Sequence, residues 1–239
     1  VVREEEPRFK ALLEAHHDLG AVAKIGHTIW YVATWREQWL ALLVVGAAAW
    51  KCAARDRWIG WDRRYQYDRL HLIGNNVRFL ILPGAHVPNL ASRVLALLAR
   101  RVSADWQSRF GHPLWLLETF VDPRRFHGTC YRAANWLAVG ESRGFRRTRA
   151  GYSNRAHTPK RVFVRALIAD AQARLCAPIL DPRYRHGAPT MLLTADHMRS
   201  LPACFADVPD PRRSQGRRHP LPAALGMAAG KQGQTTFFC

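Results

Sequence analysis

The residues whose types and spacing best suit a chemical role form a basic run between positions 143 and 161. Guanidinium groups match the geometry of phosphate oxygens, and aromatic rings stack on nucleobases. We therefore predict contacts with nucleic acid, DNA in the first instance, whose affinity falls steeply with salt. A solvated loop between two strands is the alternative. The run interleaves Phe145 and Tyr152 with seven cations: Arg143, Arg146, Arg147, Arg149, Arg155, Lys160 and Arg161.

Two other groups of reactive side chains favour structural roles. The neighbours His16, His17 and Asp18 resemble metal ligands, but adjacent side chains point apart and no second ligand pair follows at a useful spacing. We expect a solvent-facing turn there and no metal site. Cys130 stands beside Tyr131 without a neighbouring base, so a buried structural thiol is expected. No cofactor is predicted from these residues.

The charge balance favours a polyanionic partner. The 239 residues include 36 Lys plus Arg against 18 Asp plus Glu, a formal net charge of +18. Only 5 of the basic residues are Lys, and an Arg-rich, Ala-rich composition is also typical of GC-rich genomes. Part of the excess is therefore compositional, yet the resulting field still attracts nucleic acid.

Several classes of protein are excluded by composition. The longest apolar run, 39–50, is shorter than the roughly 20 residues that span a bilayer, so no membrane association is expected. The 5 cysteines lack C-x-x-C spacing, which argues against a zinc knuckle and a disulfide scaffold. No apolar leader opens the sequence, and a reducing cytoplasm fits best. Because the first residue is Val1, we expect an excerpt of a longer chain.

The order of predicted helices and strands that must position these residues indicates an α+β fold, with a mixed central sheet and flanking helices. Most tryptophans, Trp35 among them, are expected in the core, and Trp58 and Trp61 are the best candidates for a stacking surface. Asn89 is expected to cap the strongest helix. The predicted helices are 4–16, 62–68, 90–102 and 129–136, and the predicted strands are 28–34, 39–48, 77–82, 114–121, 137–140 and 160–165.

Composition also predicts the domain organisation. The α+β domain should span 1–176, followed by a Pro-rich linker at 177–190. A short helical appendage is expected at 191–229 and a disordered tail at 230–239.

Five motifs together resemble the DruA domain family of the Druantia anti-phage defence system, over about 16–165. The resemblance implies a mobile-element or anti-phage setting with protein partners in a defence or transposition system. It implies no established activity. The motifs are Arg55–Trp61, Asn75–Leu82, Val87–Ser92, Leu117–Asp122 and Gly128–Trp136.

The segment 191–229 resembles the short N-terminal domain of H-repeat transposases, through Leu201-Pro-x-x-Phe205 and the Pro-Asp-Pro-Arg-Arg run at 209–213. In that family an Asp/Asp/Glu catalytic domain follows, which would hold two metal ions. Residues 211–239 contain no carboxylate. We therefore expect a truncated fusion without transposase catalysis.

The motif order of the first domain is also similar to that of GNAT-type acetyltransferases. That resemblance implies a turn that receives the pyrophosphate of acyl-CoA at a helix N-terminus. It also implies Tyr131 as the acid that protonates the leaving thiolate, facing a V-shaped gap between two strands, with Asn135 as a left-handed cap. The matching turn residues are His86, Asn89, Leu90, Ala91 and Ser92.

This turn departs from the acetyltransferase pattern. Pro88 removes an amide, and His86 and Asn89 replace the usual Arg or Gln and Gly. We therefore expect a closed or vestigial donor site that binds acetyl-CoA weakly or not at all. Glu118 is a second catalytic candidate, with an ion pair to a nearby arginine as the alternative, just as Tyr131 alternatively packs against the sheet.

Three functions remain open on the sequence alone. The leading one is a nucleic-acid-associated protein of a mobile-element or anti-phage context. An acyl-CoA-dependent acyltransferase and a non-functional remnant are the alternatives, so catalysis itself is left undecided.

Overall fold

The computed structural model describes residues 1–61, 63–144, 147–148, 151–152 and 158–185. The helices are α1 (Glu6–His16), α2 (Ala53–Ile59), α3 (Arg63–Arg69), α4 (Leu90–Phe110), α5 (Thr129–Ala133) and α6 (Ala171–Cys176). The strands are β1 (Thr28–Trp35), β2 (Gln38–Ala47), β3 (Ile73–Ile81), β4 (Leu116–Val121), β5 (Leu137–Glu141), β6 (Arg147–Thr148), β7 (Gly151–Tyr152) and β8 (Arg161–Ala166).

Six strands form one sheet in the order β1-β2-β3-β4-β8-β5. All neighbours in it are antiparallel except β3 and β4, which are parallel. The predicted mixed sheet with flanking helices is confirmed, and the fold is α+β. In the described ranges, no helix combines the length and the apolar character needed to cross a bilayer.

Alternation along β2 sorts the helices onto two faces of the sheet. Leu43 and Val45 pack with α4, whereas Leu42 and Val44 pack with α1. A third cluster buries α2 and α6 against β4 and β8 on the face opposite α4. Both faces of the sheet are therefore covered, which fixes the direction in which each strand side chain points.

Helix α4 is longer than predicted. Its buried residues Val94, Leu98, Val102 and Trp106 recur every four positions, so one stripe packs on the sheet over the whole length. Asn89 stands at the predicted cap position with a left-handed φ of 58°, but its side chain makes no capping hydrogen bond. Asparagine tolerates that backbone conformation better than most residues, so Asn89 can adopt it at the start of the helix.

The parallel strands β3 and β4 separate after three paired residues, the last pair being Asn75 with Glu118. On the other side of β3, a bulge at Val77 interrupts the pairing with β2 and adds twist. Just past the last pair, the Thr119 hydroxyl donates to the Asn76 carbonyl oxygen at 3.0 Å. The two strands therefore form a fork that widens towards their carboxyl ends, the V-shaped gap expected from sequence.

Two details differ from the sequence expectations. Trp35 is 64% exposed at the tip of the β1–β2 hairpin, whereas Trp61 is buried and Trp58 is packed against the core. Within the described part of the predicted linker, Leu180 is buried and Tyr184 packs against Trp115. Residues 177–185 are thus attached to the domain. Residues 186–239, with the predicted appendage and tail, lie outside the described residues, and the boundary at 176 remains a prediction.

Candidate functional site

A cleft of about 830 Å³ occupies the fork between β3 and β4. Phe79 and Ile81 line it from β3, and Phe120 and Val121 line it from β4. At its mouth, beyond the carboxyl end of β4, the loop after β4 meets the segment that follows α1, and Ala91 of α4 also lines the cleft. The cleft combines apolar walls with a polar mouth, as ligand sites commonly do.

Tyr131 closes the narrow end of the fork. It is 8% exposed, stacks on Phe163 with ring centroids 5.6 Å apart, and contacts Trp136 edge to face. The side-chain nitrogen of Asn76 donates to the carbonyls of Arg78 and Val44. The side-chain oxygen of Asn76 accepts from the Tyr131 hydroxyl at 3.2 Å. Burial raises the pKa of Tyr131, so the hydroxyl stays protonated at neutral pH. The expectation that Tyr131 faces the gap is confirmed, and its catalytic role remains a prediction.

The mouth of the cleft carries charged side chains of both signs. A turn after β4 is fixed by the Asp122 carbonyl oxygen, which accepts from the Arg125 and Phe126 amides at 3.2 and 2.9 Å. Arg125 reaches Asp18 across the mouth, with 2.6 Å between nitrogen and oxygen. Lys160, directly before β8, lines the same cleft. Segments far apart in sequence therefore bring positive charge to one opening.

The predicted cationic run is only partly described. Lys160 lies at the cleft, and Arg161 donates to the carbonyl of His127 beside it. Arg143 is exposed after β5, and Arg147 belongs to β6. Arg146, Arg149 and Arg155 lie outside the described residues, so the loop prediction stays untested.

Sequence reasoning did not single out Arg125 or Phe126, although both belong to a short basic and aromatic run, Asp122-Pro-Arg-Arg-Phe126. It also did not assign a role to Asn76 or Thr119. The sequence carries no signal of the fork, and only the separation of β3 and β4 places these residues around one cleft.

The turn before α4 is partly arranged for an anion. The Leu90 amide donates to the Val87 carbonyl at 3.2 Å, and the His86 amide donates to the Gly84 carbonyl. No hydrogen bond between described residues uses the amides of Ala91 and Ser92, and Ala91 lines the cleft. The closed or vestigial donor site expected from sequence remains a prediction. Weak acetyl-CoA binding remains a prediction.

Glu118 lies away from the cleft-lining residues, under the opposite face of the sheet. Its two oxygens accept from the Ala49 amide at 2.6 Å and from Arg55 Nη1 at 2.9 Å, and both ionic side chains are fully buried. Burial raises the pKa of the Glu118 carboxyl, and the charge of Arg55 acts in the opposite direction. The structure matches the alternative expected from sequence, an ion pair with arginine.

The remaining reactive groups show no catalytic arrangement. Burial raises the pKa of the Cys130 thiol at the cleft wall, which keeps it a poor nucleophile. Burial and the charge of Arg78 lower the pKa of His17 to about 4. Among the described residues, no group of three or more histidine, cysteine, aspartate or glutamate side chains is placed to hold a metal ion.

Comparison with solved structures finds acetyltransferases. The aminoglycoside acetyltransferase AAC(6')-Ib with coenzyme A and kanamycin is 14% identical, with a TM-score of 0.39, over 72% of this chain and 77% of that one. The ribosomal-protein-S18-alanine N-acetyltransferase of Escherichia coli is 8% identical, with a TM-score of 0.44, over 70% and 90%. Polyamine N acetyltransferase of Drosophila melanogaster is 13% identical, with a TM-score of 0.39, over 70% and 97%. These similarities concern the fold alone.

Comparison with curated protein sequences finds no match. The family described as Druantia protein DruA matches residues 1–172, which include β3, β4, α5 and every cleft-lining residue. The transposase-like segment at 191–229 lies beyond that match, and its origin stays a prediction. With the family pattern covering the described sheet and its fork, this chain belongs to the DruA family.

Proposed function

We propose that this DruA-family domain binds nucleic acid at the mouth of the fork, in an anti-phage or mobile-element setting. The supporting observation is the convergence of Arg125 and Lys160 on one opening. The mouth also holds the carboxylates of Asp18 and Asp122, and each of these is paired with an arginine. The cations Arg124, Arg125 and Lys160 exceed these two carboxylates by one formal charge, and phosphate contacts are a common use of such an excess.

Replacing Arg125 with alanine tests the proposal. We expect binding of a DNA duplex to weaken by roughly tenfold, and the slope of log affinity against log salt to fall by about 0.9, because one phosphate contact is lost. Fluorescence anisotropy at two salt concentrations measures both quantities. Asp18→Asn should act in the opposite direction, since it removes a carboxylate that competes with phosphate for Arg125.

The chain offers a matched control in Arg101. Like Arg125 it is an exposed arginine paired with an aspartate, at 64% against 55% exposure, and it lies on α4 outside the cleft lining. Arg101→Ala should leave affinity and salt slope unchanged. Equal losses in the two variants would mean that the binding is diffuse, and would overturn the assignment to the cleft mouth.

An acyl-CoA-dependent acyltransferase is the second candidate. It is favoured by the fork, by the available amides of Ala91 and Ser92, and by the Tyr131 hydroxyl, which would supply a proton to a departing thiolate. It is opposed by the occupied Leu90 amide and by Pro88, which has no amide to offer.

We expect isothermal titration with acetyl-CoA to show weak or absent binding, because part of the phosphate turn is already hydrogen-bonded to itself. The informative variant is Asn89→Glu, which places a negative charge in the turn. Micromolar affinity in the unmodified protein that is lost in this variant would promote the acyltransferase above nucleic-acid binding.

A further inference from the structure

Phe126 is an exposed aromatic ring that the fold does not use for packing. It is 54% exposed and lines the cleft at its mouth. Its backbone is nevertheless fixed, because the Phe126 amide donates to the Asp122 carbonyl at 2.9 Å and the Arg124 amide donates to the Asp122 carboxylate at 3.0 Å. The turn therefore fixes the backbone that carries this exposed ring beside the cleft, and the ring is available to a partner.

The surroundings of this ring are cationic. The Arg125 guanidinium carbon lies 5.8 Å from the Phe126 ring centroid. Arg132 donates to the carbonyl of His127, the residue after Phe126, at 2.7 Å. Lys160 lines the same cleft as Phe126. An apolar ring with a guanidinium beside it and a lysine on the same cleft is complementary to a nucleobase and its phosphates.

Double-stranded and single-stranded nucleic acids differ in whether a base can stack on an exposed aromatic ring. In a duplex each base is stacked on its neighbours, so its faces are not available to a protein ring. In a single strand an unstacked base can lie on an aromatic side chain, which stabilises the complex regardless of sequence.

We propose that Phe126 stacks on an unpaired base of a single-stranded nucleic acid, whose flanking phosphates contact Arg125 and Lys160. This inference rests on the proposed function and gives single strands a contact that a duplex does not offer. Phe126 acts by stacking, and no covalent bond is made or broken.

The test compares Phe126→Ala and Phe126→Trp on a fluorescein-labelled oligothymidylate and on a duplex. We expect Phe126→Ala to weaken single-strand binding by roughly tenfold, with an unchanged salt slope because no charge is removed. Phe126→Trp should retain or strengthen the binding, and the duplex affinity should change little. Because the ring is exposed, equal urea midpoints will verify that both variants are folded.

Trp35 supplies the matched control. It too is an exposed aromatic with an arginine nearby, the Arg36 guanidinium carbon at 5.8 Å from its ring, but it lies on the β1–β2 hairpin outside the cleft lining. Trp35→Ala should leave single-strand affinity unchanged. Intact single-strand binding in Phe126→Ala would overturn the stacking inference and leave the proposed function standing. Absence of binding to both DNA forms in the unmodified protein would overturn the proposed function itself.

Discussion

Arg55→Met is expected to reduce the free energy of unfolding by about 3–5 kcal/mol, because it leaves the Glu118 carboxylate buried without its cation. Both side chains are fully buried, and Arg55 Nη1 also donates to the Ala49 carbonyl at 2.8 Å. A loss of this size is a large fraction of the 5–15 kcal/mol typical of a whole protein. Urea unfolding followed by tryptophan fluorescence measures it.

The double variant Arg55→Met with Glu118→Leu is the control for this prediction. It removes both buried charges together, so part of the stability should return, while the Ala49 amide and carbonyl stay without their side-chain partners. A double variant as unstable as the single one would show that packing and the hydrogen bonds of Ala49, and not the unpaired charge, cause the loss. The pair matters for the cleft because Glu118 belongs to the last β3–β4 pair before the strands part.

Gly128→Ala should lower the free energy of unfolding by about 2–5 kcal/mol, from left-handed backbone strain together with overpacking. Gly128 precedes α5 with a φ of 71°. A methyl group at this position would stand 2.5 Å from the Phe163 ring, which is fully buried. Because α5 carries Tyr131, the substitution should also disturb the narrow end of the fork.

Gly111→Ala separates the two causes. Gly111 also has a left-handed φ, 81°, but a methyl group there meets nothing within 4 Å. Chemical denaturation should show a loss of roughly 1–2 kcal/mol, the strain alone. If both glycine variants lose the same amount, the contact with Phe163 contributes nothing.

The sequence by itself determined the local elements and the class of the fold. Helical spacing of leucines and valines, the Pro83-Gly84 break after β3 and the motifs of the first 172 residues depend on neighbours along the chain, so the main strands, helices α1, α3, α4 and α5 and the family were predictable. The short helices α2 and α6 were not predicted, because six or seven residues carry little periodic signal. The resemblance to acetyltransferases implied a left-handed backbone at Asn135, and its φ is 60°.

Only the tertiary structure decided which side chains share a space. The fork depends on a bulge at Val77 and on the end of pairing at Glu118, and neither leaves a periodic signal in the sequence. The orientation of β4 places Glu118 under the sheet and Thr119 at the fork, because adjacent strand residues point to opposite faces. Arg125 and Lys160 line the same cleft because two strands distant in sequence pair there. The antiparallel pairing of Val121 with Arg161 joins the end of β4 to the start of β8, a contact between residues distant in the chain.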